Sequence, residues 1–404
     1  VSAGLSGRSV AIIGAGPVGL EAAARFAEAG ASVTVLEQGL VGEAVAAWGH
    51  VRLFSPWRMN CGPSGLRLLG ALPAEGEAFP TGEAFVAEYL HPLAAALRLR
   101  GVEIVEKAQV VAVGRQTLLK GEAIGAVGDR RREQATFRLI VDGPATERAL
   151  SADIVVDATG TWSQPNWLGR GGLPAPGERL AAAYLARHLP DSNGAARKRF
   201  DFGRVAVVGG GYSAATAIAA LLELREAGGT AELHWVLRDA APSYARYEND
   251  PLAGRDALSA RMNEVLRGEA GVTIHAGYEV EALSISAERV NLSLTDAVGA
   301  ERALPACSEV ICATGYRPDL ELCRELQVHL CYASEGPMKL AAAMLAAGGA
   351  GGDCLAQESP GAEVLRSPEP NFFVVGAKSY GRGSAFLLGM GYEQAEQVVG
   401  LCGG

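Results

Sequence analysis

Glycines at fixed spacing give the first chemical signal in this chain. Gly14-Ala15-Gly16-Pro17-Val18-Gly19 follows the apolar run at 10–13 and leads into an Ala-rich amphipathic stretch at 20–29. A pyrophosphate needs backbone it can approach closely and N–H groups with no other partner. The order strand, glycine turn, helix supplies both: Gly14 permits the tight turn, Gly16 leaves room for the phosphates, and Gly19 lets helix and strand pack closely. A second strand at 32–36 ends in an acid, Glu37, followed by Gln38. A carboxylate about twenty residues past the turn is placed to accept hydrogen bonds from ribose hydroxyls.

The pattern returns. After the apolar run at 205–208 come Gly209-Gly210-Gly211-Tyr212-Ser213-Ala214, a helical stretch at 215–227 and a strand at 233–237. This second copy ends in Arg238 where the first has Glu37. A further motif is also doubled. The run 153–157 enters Ala158-Thr159-Gly160, and the run 309–312 enters Ala313-Thr314-Gly315. One architecture is therefore written twice, a glycine-rich βαβ unit first and a strand with a small-residue turn last.

Other side chains could act on whatever these turns hold. The loop after Glu37 carries Trp48, His50, Arg52, Phe54, Trp57 and Cys61, a polar-aromatic set suited to lining a flat ring system. An apolar closing run at 371–376, ending in Gly376, is followed by Lys378, Tyr380 and Arg382. Cys61, Lys378 and Tyr380 are the catalytic candidates. Cys331 and Cys354 bracket a helical stretch at 338–347 and are candidates for a redox pair or a soft metalloid site, while Cys307 and Cys312 read as core.

The elements that must position these groups alternate strand and helix, which predicts an α/β fold. Thr81 is placed to cap a helix within 79–99; strands are expected at 102–105 and 108–113, a hairpin at 134–150, and a helical tail at 384–401. The charged loop 125–133, with Arg130-Arg131-Arg132, reads as solvent-facing, as does Arg197-Lys198-Arg199. A Gly/Pro-rich link at 169–177 marks a boundary, and a GGAGGD run near 348 reads as flexible. With 404 residues and 52 glycines the chain is long enough for two domains. Its net charge of −9 gives no general attraction for nucleic acid or for anionic membranes. No apolar run reaches the length of a membrane span. Seven cysteines without CxxC or His-Cys metal spacing predict no metal site and fit a cytoplasmic protein; the oligomeric state is not readable.

On both glycine turns and both Ala-Thr-Gly turns, the chain resembles the two-dinucleotide-binding flavoproteins, and within them the flavin-containing and N-hydroxylating monooxygenases. The resemblance implies two Rossmann-like three-layer domains (ββα/αβα), with an NAD(P) domain at 171–318 inserted into an FAD domain at 1–170 and 319–404. A lid or substrate segment would occupy 330–368. FAD would be held by Gly14, Gly16, Pro17, Gly19, Glu37, Gln38, Trp48, Arg52, Val110, Ala158, Thr159, Gly160 and Gly376. The nicotinamide dinucleotide would be held by Gly209, Gly211, Tyr212, Ser213, Arg238, Ala313, Thr314 and Gly315. A guanidinium at Arg238 suits a 2′-phosphate, which favours NADPH. The F-x-G-x-x-x-H fingerprint of many flavin monooxygenases is reduced to His188 here, and the paired cysteines of the disulfide reductases are missing. The expected function is NADPH-driven oxygenation of a small organic substrate through a flavin peroxide. The alternatives are reduction of a thiol/disulfide, quinone or metalloid acceptor, and a redox sensor without turnover.

Overall fold

In the computed structural model the described residues are 4–72, 76–125, 128–143, 146–248, 250–268, 270–347 and 360–403. The chain divides into two compact units: Val1–Gln164 with Tyr316–Gly404, and Pro165–Gly315.

The first unit opens with β1 (Ser9–Ile13), whose residues 10–13 are buried, as expected of a β-branched run at the centre of a parallel sheet. The Pro17–Glu28 helix follows, with Gly16 as N-cap and Pro17 in its first turn, a position where proline costs no hydrogen bond. Its Ala22, Ala23 and Ala24 are fully buried, so the helix lies close on the sheet. β2 (Ser32–Leu36) and β3 (Glu103–Val105) extend the sheet. β4 (Gln109–Arg115), β5 (Phe137–Asp142) and β6 (Glu147–Ala152) form a separate three-stranded antiparallel sheet, and β7 (Ile154–Asp157) returns beside β1.

The second unit begins with a short β8 (Leu185–Ala186), then β9 (Arg204–Val208), the Tyr212–Glu226 helix and β10 (Glu232–Leu237). β11 (Thr273–Ala276), β12 (Tyr278–Ser286), β13 (Arg289–Asp296) and β14 (Glu301–Cys312) complete it. The strand order is β11-β10-β9-β14-β13-β12. β14 is long because it serves two roles: one end pairs antiparallel with β13, the other parallel with β9. The chain then returns to the first unit, where β15 (Phe372–Val374) pairs parallel with β7 to give the order β15-β7-β1-β2-β3. The fold is α/β, with a parallel run β15-β7-β1-β2-β3 in the first unit and a parallel run β11-β10-β9-β14, extended by antiparallel β13 and β12, in the second.

Local departures from the expected elements have physical causes. Thr81 does cap its helix, accepting from the Ala84 N–H at 3.2 Å. That helix then widens into a π turn at Val86–Leu90, because Pro92 has no N–H to offer the Glu88 carbonyl. The charged stretch at 125–133 is not wholly solvent-facing. Arg132 is buried, because its Nη2 lies 2.6 Å from Glu369 Oε2, while Arg115 Nε lies 2.7 Å from Glu369 Oε1. The tail helix runs Leu388–Gly403 rather than from 384, since Phe386 turns inward to meet the Tyr380 ring edge-on at 5.4 Å. The GGAGGD run and Cys354 lie outside the described residues. Among the described residues, no helix is long and apolar enough to cross a membrane.

Candidate functional site

The first glycine turn has the form a dinucleotide needs. Gly14 has φ of +104°, and a Cβ there would stand 2.7 Å from the carbonyl oxygen of Ala158. A Cβ on Gly19 would stand 2.0 Å from the Gly14 carbonyl oxygen. At Gly16, by contrast, a Cβ would meet nothing within 4 Å. Two of the three glycines are thus required by close packing, and the third faces open space in front of the N-terminus of the Pro17–Glu28 helix. Glu37 is oriented by the turn itself: Oε2 accepts from the Ala15 N–H at 2.7 Å and Oε1 from the Gly39 N–H at 3.0 Å. Each oxygen keeps a lone pair for a ribose hydroxyl. These residues fit an adenosine diphosphate.

The second turn reproduces this geometry. Gly209 has φ of +130° and lies so close that a Cβ would be 2.2 Å from the Ala313 carbonyl oxygen, while Gly211 again faces open space. Here aromatic residues fix the backbone. The Trp235 indole donates to the Gly209 carbonyl at 2.8 Å, and the Tyr244 hydroxyl donates to the Gly211 carbonyl at 3.3 Å. Tyr212 starts the helix with its hydroxyl 3.0 Å from Ser259 Oγ, and Ser213 beside it is exposed. Asn166 pins the second small-residue turn, donating to the Thr314 carbonyl and accepting from the Thr314 hydroxyl, both at 3.1 Å. Arg238 stands exposed just past β10, with no carboxylate partner among the described residues. The set fits a second dinucleotide.

The remaining candidates named from the sequence separate. Ala158 and Gly160 sit beside the first turn, Gly160 with φ of +68°, and Gly376 lies against Val18 of the first helix. Val110 is drawn into the antiparallel sheet opposite Val141, although the neighbouring Ala108 N–H reaches the Glu37 carbonyl at 2.8 Å. Gln38 is exposed next to Glu37. Trp48 is half-buried, its ring 2.9 Å from where a Cβ on Gly82 would be. Arg52 is exposed and donates to the Phe79 carbonyl. Cys61 lies in the hydrophobic core with Trp57, Phe85 and Tyr89, and burial pushes its thiol up to about 12. Tyr380 is buried, its hydroxyl 3.4 Å from Met390 Sδ and also pushed up to about 12 by burial. Arg382 is exposed and paired with Glu335 at 2.8 and 2.9 Å. His188 is half-buried, and burial depresses its imidazole.

Lys378 is the least expected. It is not a solvated loop residue: it is 2% exposed, with Nζ 2.7 Å from Asp157 Oδ2 and donating to Thr159 Oγ1 at 3.1 Å. Asp157, fully buried at the end of β7, accepts from the Thr159 hydroxyl at 2.7 Å and from the Thr159 N–H at 3.2 Å. Asp157 is not among the candidates the sequence suggests. The signal that marks it is an acid ending an apolar strand immediately before Ala-Thr-Gly.

Two family models match this arrangement, both described as pyridine nucleotide-disulphide oxidoreductase, over residues 93–336 and 9–40. The chain belongs to the pyridine nucleotide-disulphide oxidoreductase family. Its members use FAD and NAD(P)H, and this chain is an FAD/NAD(P)-dependent oxidoreductase. No curated protein matches it by sequence. Among solved structures it resembles the bacillithiol disulfide reductase of Bacillus cereus, with 18% identity, 97% of each chain covered and a TM-score of 0.69. It also resembles the thioredoxin reductase of T. acidophilum, with 17% identity, 97% of this chain and 98% of that one covered, and a TM-score of 0.58. The ornithine N-hydroxylase of Kutzneria sp. 744 shares the fold too, with 14% identity, coverage of 97% and 98%, and a TM-score of 0.60. At such identities the likeness speaks for the fold, which disulfide reductases and N-hydroxylases have in common.

Proposed function

We propose that the protein is an NADPH-dependent FAD monooxygenase of a small organic molecule. Bound FAD would supply a two-electron acceptor for hydride from the nicotinamide and a donor to the final acceptor. The first unit would hold it through Gly14, Gly16, Gly19 and Glu37, with Ala158, Thr159, Gly160 and Gly376 as the small-residue walls. The second unit would hold the nicotinamide dinucleotide through Gly209, Gly211, Tyr212, Ser213, Ala313, Thr314 and Gly315, with Arg238 on the 2′-phosphate.

The observation that carries the choice of acceptor is the state of the thiols. Cys61, the cysteine of the loop expected beside the flavin, is a core residue whose thiol is pushed up to about 12. Cys307, Cys312 and Cys402 are likewise pushed up to about 12 by burial, and Cys323 to about 11. A relay through protein disulfides needs a thiolate, because the thiolate is the nucleophile. These five groups stay protonated at neutral pH, which favours an acceptor that meets the flavin directly. Oxygen is such an acceptor, one atom leaving as water and one entering the substrate as NADPH is oxidised.

A second reading rests on Cys331. Hydrogen bonding from Ser334 depresses its thiol, and its loop lies on the turn after β15, where the Arg382 N–H donates to the Ser334 carbonyl at 2.8 Å. In that reading NADPH and a proton cleave a small disulfide into two thiols. Turnover under isotopically labelled O₂ and under anaerobic conditions with a small disulfide separates the two. One labelled oxygen atom in the product supports the monooxygenase. Anaerobic turnover that is lost in Cys331→Ser supports the reductase and removes the oxygenase.

A further inference from the structure

Burying an ammonium and a carboxylate together is costly unless the pair is close and its other valences are satisfied. Lys378 and Asp157 are close, with Nζ 2.7 Å from Oδ2, and Thr159 bonds to both, at a place that matters. Lys378 follows Gly376 in the turn that leaves β15, while Asp157 ends β7 and stands opposite Val374 in the parallel register. Thr159 joins them: its hydroxyl donates to Asp157 Oδ1 and accepts from the Lys378 ammonium. Ala158, its neighbour, is the residue whose carbonyl excludes any side chain at Gly14. On the other side, Gly376 rests against Val18 of the first helix, and Gln394 Oε1 accepts its N–H at 2.8 Å. Thr159 itself is exposed, on the open side of the turn. Three separate pieces of the cradle are therefore tied together by one buried cation.

We infer that Lys378 is a positioning residue for the flavin. Through Asp157 and Thr159 it holds the Ala158-Thr159-Gly160 turn against the closing strand, and both the affinity for FAD and its redox potential depend on this ion pair. The inference rests on FAD occupying the first glycine turn. An ammonium kept beside Asp157 cancels a negative charge that would otherwise oppose reduction of a flavin seated there. A packing role alone would leave the potential unmoved.

The test uses the flavin-loaded protein and reads two quantities, the FAD dissociation constant and the midpoint potential of the bound flavin. Wild type is measured first; absence of FAD there would overturn the assignment of the turn and with it the flavin role of Lys378, whereas a loaded wild type leaves the variants to test Lys378 alone. In Lys378→Met the dissociation constant is expected to rise about tenfold or more, the equivalent of one lost net interaction, and the potential to fall. In Asp157→Asn/Lys378→Met, where neither charge remains, the potential should return toward the wild-type value. Thr159→Val leaves the ion pair in place on an exposed position, so it should fold and still lose FAD affinity by about the same factor. Wild-type affinity and potential in both Lys378→Met and Thr159→Val would overturn the inference. A double variant whose potential stays as low as that of Lys378→Met would do the same.

Discussion

Gly14 and Ala158 are locked together across the sheet: a Cβ on the glycine would lie 2.7 Å from the carbonyl oxygen of the alanine. Gly209 and Ala313 repeat the relationship at 2.2 Å in the second unit. In both units the glycine turn that would receive phosphates is braced by the small-residue turn at the end of a neighbouring parallel strand, which explains why the two motifs recur as a pair. The glycines consequently differ in what they do. Gly16→Val should fold with the melting temperature of flavin-free wild type, since φ of −79° and ψ of −175° suit valine and nothing lies within 4 Å of an added Cβ. It should nevertheless purify without flavin. Gly19→Ala, with its Cβ 2.0 Å from the Gly14 carbonyl oxygen, should instead lose stability by about 1–3 kcal/mol. Thermal melting and the flavin-to-protein absorbance ratio check both.

In the proposed function Arg238 would carry the choice between the two nicotinamide cofactors. Its guanidinium is exposed and has no carboxylate partner among the described residues, so it is available to a 2′-phosphate without breaking an existing pair. A charge-assisted hydrogen bond is worth about 1.5–3 kcal/mol, or about one to two orders of magnitude in affinity. Arg238→Ala should weaken NADPH by that factor and leave NADH unchanged. Stopped-flow flavin reduction at a series of concentrations of each dinucleotide measures this, and equal losses for both would show that Arg238 does not recognise the 2′-phosphate.

The glycine turns are legible in the sequence because their requirement is local: a positive φ or a close approach is visible in six consecutive residues. The Thr81 cap is legible for the same reason. What the sequence hides are contacts between distant segments. Glu369 meets Arg115 and Arg132 from 254 and 237 residues away, and nothing in the triplet Arg130-Arg131-Arg132 marks the third as buried. Lys378 reads as a loop residue because its partner, Asp157, ends a strand early in the chain. Nothing in the sequence marks Trp235, within the expected strand 233–237, or Tyr244 as part of the site, yet their polar ends reach the carbonyls of the second glycine turn. Chemistry between chain neighbours is readable; chemistry made by the sheet order has to be seen.

A pair of imidazoles makes the second unit sensitive to acid. His234 Nδ1 and His275 Nε2 are 3.0 Å apart on neighbouring strands, with Arg302 Nη1 3.4 Å from the far nitrogen of His275. Burial, then His234, then Arg302 depress His275 from 6.5 to about 4. In the unfolded chain His275 takes up a proton near pH 6.5; in the folded protein it resists one until about pH 4. The depressed group therefore leaves stability intact above pH 6.5 and removes it as pH falls toward 4, by up to about 3 kcal/mol. Denaturant unfolding between pH 7 and pH 4 should show this loss, and His275→Gln, which cannot take the proton, should flatten it.

The thiols give the last test, and it bears on where electrons leave. Cys331 is half-exposed and depressed by Ser334, whereas Cys61 is 5% exposed and pushed up to about 12. Alkylation follows the thiolate fraction and access. Brief treatment of the native protein with iodoacetamide at neutral pH should label Cys331 first and leave Cys61, Cys307 and Cys312 unmodified, as read by peptide mass spectrometry. Ser334→Ala should slow labelling at Cys331, because the hydrogen bond that favours its thiolate is gone. The alkylated protein then carries the argument further. If NADPH oxidation with the right substrate continues at its original rate, electrons leave from the flavin and Cys331 is a bystander. If flavin reduction by NADPH is intact but turnover stops, the exit lies at that thiol, and the reductase reading replaces the oxygenase.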